Sequence, residues 1–339
     1  LVSISEINAF YRKNLRSRLH KIEQERNAVV QKMMRKFYLV AGVLFLLLLM
    51  SAGFEFILIA VFASFAWAAH FIYTRDYVNP AIAALNSEYK ASVLKPLIEQ
   101  MGRNVIVKAN RHISRRDVKA SNFFIDEADF ELSGNDYAEA DIDDVNVRFS
   151  DLLIQQQFAS KPEPYVAFHG LFLVAEFNKR LEGTTIVQSG DDFFNTLAAH
   201  TFNVEKRKTI TLENSAFNAR FKVHSDSHIE SRYILSFTMM ERLLELRKGM
   251  RNITVSFSGN HFYLAVFNRK DNFELTLADP DRSNRMITRY IETLHRLFSV
   301  VDTLRLNEKL WYKTPDAPTG GDPESSAQIL ESVRTQNES

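Results

Sequence analysis

Cysteine is absent from the 339 residues, which removes disulfides, thiol nucleophiles and cysteine-ligated metals from consideration. Net charge is nearly absent as well: 42 Lys+Arg against 41 Asp+Glu leave +1 at pH 7, so no global attraction to nucleic acid or to an anionic surface is implied. Glycine and proline are sparse, at 11 and 8. No phosphate-cradling glycine loop, nucleophile elbow, zinc-protease helix or kinase signature occurs. No catalytic set, metal site or cofactor is therefore read from the sequence. A cleavable secretory signal is not expected either, because a charged stretch of 36 residues precedes the first apolar run.

That run, Phe37 to Tyr73, is interrupted by one ionised side chain, Glu55. As a single helix it would reach roughly 55 Å, well beyond a hydrocarbon core of about 30 Å. Ser51-Ala52-Gly53-Phe54-Glu55 combines small residues, a helix-ending glycine and the lone charge, so a turn is expected near 51–55. The expectation is a two-helix transmembrane hairpin over 37–73, flanked by Arg35, Lys36 and Tyr38 on one side and Tyr73 and Arg75 on the other. Its arms are short, and a re-entrant hairpin is the competing reading. Residues 1–36 carry nine Lys or Arg against three Glu. This bias places both termini in the cytoplasm.

Around the run, two apolar stripes recur at steps of three and four. Ile4, Ile7, Tyr11, Leu15, Leu19, Ile22, Val29 and Met33 form one, with a gap at Arg26; Val78, Ile82, Leu85, Tyr89, Val93, Leu97 and Met101 form the other. Both read as amphipathic helices, the second a stalk over 74–102 that either continues the hairpin or packs on the following domain. Pro96 is expected to break or kink it. From 103 to 313 the pattern is mixed. A short helix capped by Ser114 is followed by strand signals at Tyr137–Phe149, Tyr165–Phe177, Thr184–Val187 and Thr209–Leu212. Val255 and Phe257, then Phe262, Leu264 and Val266, alternate about Ser258-Gly259-Asn260, a hairpin signature. Thr238–Arg247 is helical, and Ile287 to Leu304 marks a long amphipathic helix. Helices and strands do not alternate regularly, so the fold class is α+β with a mainly antiparallel sheet in a cytoplasmic domain. The tail, 314–339, has Pro315, Pro318, Gly320, Gly321 and Pro323 and few large apolar residues, and disorder is expected there.

Phe168-His169-Gly170-Leu171-Phe172-Leu173-Val174-Ala175-Glu176-Phe177-Asn178-Lys179, then Gly183-Thr184-Thr185, resembles a block of a bacterial membrane-protein family catalogued as domain of unknown function thirty-one thirty-seven. A second block is similar across Leu212-Glu213-Asn214, Ser225-Asp226, Glu230-Ser231-Arg232-Tyr233 and Met240 to Leu246. The resemblance spans about Ser114 to Trp311. It implies an inner-membrane protein without assigned chemistry, often found beside LemA-like membrane proteins, so a LemA-like partner is implied by the resemblance alone.

His224-Ser225-Asp226-Ser227-His228 is the most metal-like local group, but it lacks a third ligand at recognisable spacing, and a solvated turn and helix cap is the better account. Arg103 to Lys119 holds six bases while Asp126 to Asp151 holds ten acids. Without interleaved stacking aromatics the basic stretch is not read as a nucleic-acid site, and pairing with the acidic stretch or contact with lipid suits it better. The expected function is a membrane-anchored binding or scaffold protein that partners the bilayer and another membrane protein, with homo-oligomerisation open. Its candidate surface comprises Phe168, Gly170, Phe172, Asn178, Lys179, Glu230, Arg232 and Tyr233. The alternative is a membrane-anchored enzyme acting on a lipid or nucleotide, with Glu230, Arg232 and Asn178 about a pocket.

Overall fold

The computed structural model describes residues 2–50, 56–124, 129–157, 165–177, 180–189, 207–250, 252–268, 272–273 and 280–306. The turn expected near 51–55, Asn178, Lys179 and the tail 314–339 lie outside the described residues. The chain divides into two units, Leu1–Asn307 and Glu308–Ser339, and all that follows concerns the first.

The N-terminal stripe forms α1 (Ile4–Phe10), opened by a capping box in which Ser3 and Glu6 exchange hydrogen bonds. A π turn over Tyr11–Leu15 leads into the 35-residue α2 (Arg16–Met50). The return helix α3 (Phe56–Tyr73) runs through a π turn, Thr74–Val78, into α4 (Asn79–Tyr89). A further π turn, Lys90–Leu94, joins it to α5 (Lys95–Glu99). Pro96 was expected to break this stretch, yet the backbone stays helical through it. Pro80 and Pro96 each follow one of these π turns, whose wider ladder makes room where a proline ring would strike the carbonyl four residues earlier.

Phe37 of α2 and His70 of α3 lie 5.2 Å apart, ring to ring, so the two apolar helices run side by side as an arm. Among the described residues no helix is long and apolar enough to cross a membrane. The transmembrane hairpin expected over 37–73 is therefore corrected, and the inner-membrane placement with both termini cytoplasmic, which rested on it, is corrected too. The physical reason is length: the apolar part of α2 past Lys36 is roughly 21 Å long, and α3, with Ser64 and His70 in it, is roughly 27 Å, against a core of about 30 Å.

The remainder is α+β around one antiparallel sheet. Its strands among the described residues are β1 (Arg103–Lys108), β2 (Asp129–Ile142), β3 (Val145–Gln157), β4 (Tyr165–Glu176), β5 (Thr184–Ser189), β6 (Lys208–Ile210), β7 (Phe221–Ser225), β8 (Ile253–Ser258) and β9 (His261–Phe267), in the spatial order β1-β2-β3-β4-β9-β8-β5-β7-β6. The stretch Tyr137–Phe149, expected as one strand, is a hairpin instead. Asp143 and Asp144 turn it with φ of 47° and 66°, a left-handed pair that aspartate tolerates. The second hairpin turns at Gly259, φ 59°, where expected.

Two apolar layers cover the sheet. On one face Val147, Phe149, Leu173, Val255, Phe257 and Leu264 join Ile7, Leu15, Leu19, Tyr89, Val93 and Leu97. The long α6 helix of the C-terminal half (Pro280–Leu304) adds Ile291, Leu294, Phe298 and Val301 to that core. Both N-terminal stripes thus pack on the sheet domain. On the other face Ile113, Val118, Phe123 and Phe124, from the turn of helix Arg115–Ala120 capped by Ser114, cover Leu152, Phe168, Phe172 and Tyr263.

Candidate functional site

The residues singled out on the apolar strand lie inside the molecule. Phe168 and Phe172 are 1% and 0% exposed and stack edge-to-face at 6.3 Å in the second core layer. Between them, Gly170 lies so close to β9 that a Cβ built on it would sit 2.1 Å from the Val266 carbonyl oxygen. The strand is glycine there because the neighbouring backbone occupies the space of a side chain.

Glu230, Arg232 and Tyr233 occupy the short helix His228–Ile234, whose N-cap Ser227 accepts the N–H of Glu230. From this helix Glu230 accepts the backbone N–H groups of Glu182 and Gly183 at 3.0 and 2.9 Å. Asp226 accepts the next one, from Thr184, at 3.0 Å, and its other oxygen meets Arg207 Nε at 3.1 Å. Two carboxylates thereby hold three successive N–H groups of the loop entering β5. A Cβ on Gly183 would come within 3.0 Å of Glu230 Oε2, so the loop passes close over the carboxylate. Arg232 pairs with Glu213, both exposed, and Tyr233 is half-exposed. His224 sits on β7 and His228 starts the helix, so strand and helix separate the two imidazoles. Among the described residues no three His, Asp or Glu groups come together as metal ligands.

A cluster not visible in the sequence spans the second sheet face. The register aligns Arg148 of β3, Val174 of β4 and Tyr263 of β9, and Arg148 Nη1 meets Asp117 Oδ2 at 3.2 Å. Burial, then the Asp117 charge, pushes the Tyr263 hydroxyl up to about 12. Burial, then Arg148, holds the His261 imidazole below its ordinary value. Next to them Tyr137 donates to Glu139 at 2.7 Å, and burial followed by that bond raises its phenol well above the usual range. The group therefore presents neutral hydrogen-bonding rings at pH 7, with no ionised nucleophile among them. Its members come from β2, β3, β9 and the Arg115–Ala120 helix, and only the sheet register unites these elements.

Most of the exposed large apolar side chains among the described residues lie on the arm and its root. Leu39, Phe45, Phe65 and Trp67 are 64%, 61%, 71% and 71% exposed, and Tyr38, Leu46, Phe71 and Tyr77 are exposed beside them. At its root the Lys36 ammonium lies 4.0 Å from the Tyr73 ring centre.

Residues 166–306 match the model of a family described as "Protein of unknown function (DUF3137)", the family whose blocks the two strings above resemble. No curated protein matches the chain. Among solved structures, the crystal structure of the mycobacterial trehalose monomycolate transport factor A, TtfA, is similar at 7% identity, over 52% of this chain and 75% of that one, with a TM-score of 0.28; a likeness at that level carries no argument.

Proposed function

We propose that this chain is a non-enzymatic binding or scaffold protein whose helical arm docks a partner protein that itself presents apolar helical surface. The observation that supports this reading is the exposure of Leu39, Phe45, Leu46, Phe65, Trp67 and Phe71 around the two helices of the arm, with Trp67 and Phe71 stacked on each other. Monomeric proteins rarely leave apolar patches beyond a few hundred Å² uncovered, and those that do use them for association. The sheet domain is the rigid body that holds the arm, since both N-terminal stripes are sunk in its core. The alternative enzyme gains no support from the polar residues singled out for it: Glu230 is engaged by backbone amides and Arg232 by Glu213.

The test is a mild-detergent pull-down of the tagged full-length chain, in parallel with a Phe65→Ser/Trp67→Ser variant, both read by quantitative mass spectrometry. A LemA-like membrane protein is the first candidate, on the strength of the resemblance. A stoichiometric partner that is lost with the variant supports the reading. Recovery of no partner, or of one that the variant retains, overturns it.

A further inference from the structure

A cleft of about 690 Å³ opens where the arm meets the sheet domain, within the roughly 300–1,000 Å³ range of small-ligand sites. None of the outward arm residues invoked above lines this cleft, only Leu39 lines the groove beside it, and nothing said of that surface depends on the cleft. One wall is apolar: Val30 and Met33 of α2, with Val78 of the π turn and Ile82 of α4. A second groove, lined by Met34, Tyr38 and Leu39 with Gln31 and Arg35, shares Val30 with it and continues the wall along α2.

The opposite wall is made of hydrogen-bonding groups without net charge, and the imidazole of the lining, His70, belongs to the arm, where its ring meets Phe37. Asn86, Asn110 and Asn135 contribute carboxamides, and Thr74 and Ser87 contribute hydroxyls. Thr74 Oγ1 is buried with no hydrogen-bond partner among the described residues, a cost that a bound donor or acceptor would remove. Lys90 is the ammonium of the lining, and Asp136 holds it at 2.8 Å, with side chains 5% and 1% exposed. That charge is already matched, so an ionised head group placed here would be desolvated without a counter-charge.

We propose that this cleft binds an uncharged single-chain amphiphile, with a hydroxyl or amide head group against Asn86, Asn110 and Asn135 and the tail along Val30, Met33, Val78 and Ile82. Carboxamides suit such a head because each supplies both donors and an acceptor to neutral hydroxyl or amide partners. The shared edge at Val30 sets the direction: head toward the sheet domain, tail toward the arm.

The test is calorimetric titration of the full-length chain with monodecanoylglycerol below its micellar concentration, against decanoate and glycerol as probes lacking the neutral head and the tail. Monodecanoylglycerol is expected to bind one per chain, decanoate at least about tenfold more weakly, and glycerol not measurably. Ile82→Trp, which fills the cleft, is expected to abolish binding. Asn110→Ala, in an exposed loop position that leaves the fold intact, is expected to weaken binding by about fivefold or more. Trp67→Ser on the outward arm is expected to leave it unchanged. No binding of the neutral probe, equal binding of decanoate, loss of binding in Trp67→Ser, or wild-type affinity in Asn110→Ala would overturn the assignment; should Ile82→Trp fail to fold by circular dichroism, Asn110→Ala decides alone.

Discussion

Lys90 Nζ lies 2.8 Å from Asp136 Oδ1 with both side chains almost wholly out of solvent, and this pair joins the helical root to the middle of β2. Taking one partner away strands the other's charge. Lys90→Met is expected to cost about 3–5 kcal/mol, and Lys90→Met with Asp136→Asn to recover most of that. Asn is the appropriate replacement because residue 136 has φ 59°, which Asn accepts. Urea unfolding checks both; a single variant as stable as the wild type would show that the pair contributes nothing.

Glu230 should behave as a loop clamp. Glu230→Ala leaves two N–H groups of the β5 entry without their acceptor, an expected loss of about 1–3 kcal/mol. The neighbouring exposed pair predicts the opposite: Arg232→Ala should change stability by less than about 1 kcal/mol. Thermal melts of the two variants separate the roles, and equal losses would contradict this division.

Gly170→Ala must push β4 away from Val266, since the new Cβ would meet the carbonyl oxygen at 2.1 Å. A loss at the top of the about 1–3 kcal/mol overpacking range is expected. Gly259→Ala meets nothing within 4 Å but has φ 59°, so it should cost only the backbone strain of about 1–2 kcal/mol. The ordering, Gly170 above Gly259, is the outcome to measure.

Arg26 fills the gap in the N-terminal stripe. It is 1% exposed, and its guanidinium nitrogens find no hydrogen-bond partner among the described residues, as does Oε1 of the buried Glu23. Burial accordingly lowers the affinity of Arg26 for its proton. Replacing both by neutral groups, Glu23→Gln with Arg26→Met, is expected to stabilise the protein by about 1–4 kcal/mol. A lower midpoint in denaturant for the double variant would show that the charges hold the seam together.

His261 and His224 both have their pKa lowered from 6.5, with burial as the first cause. In the window below 6.5, down to the folded-state values, the unfolded chain binds more protons than the folded one. Stability therefore rises with pH across that window, is complete above 6.5, and is lost as the pH falls through it. His261→Gln should flatten the slope of stability in the window below pH 6.5; an unaltered slope would remove His261 from this role.

Much of the architecture was legible one segment at a time. Ser114 announced its helix and Gly259 its hairpin, because caps and tight turns are local chemistry. The Asp143-Asp144 turn was missed because it carries neither glycine nor asparagine, the residues by which such turns are usually recognised. The apolar run was over-read as a membrane span: its division into two arms was expected, but mean hydropathy does not say how long each arm is, and neither helix is long and apolar enough to cross. Of the site, Glu230 was visible as a residue and not as a clamp, since its partners lie 47 and 48 positions away.

By itself the sequence determined many of the elements, the α+β class and the absence of thiol chemistry, because propensity, capping and apolar period act over a few residues. Only the tertiary structure decided that Phe168 and Phe172 are core, that Glu230 ties down a loop, and that Arg148, His261 and Tyr263 share one sheet face. Those relationships arise from strand register and layer packing, which couple residues far apart in the chain and leave no mark on any short stretch of it.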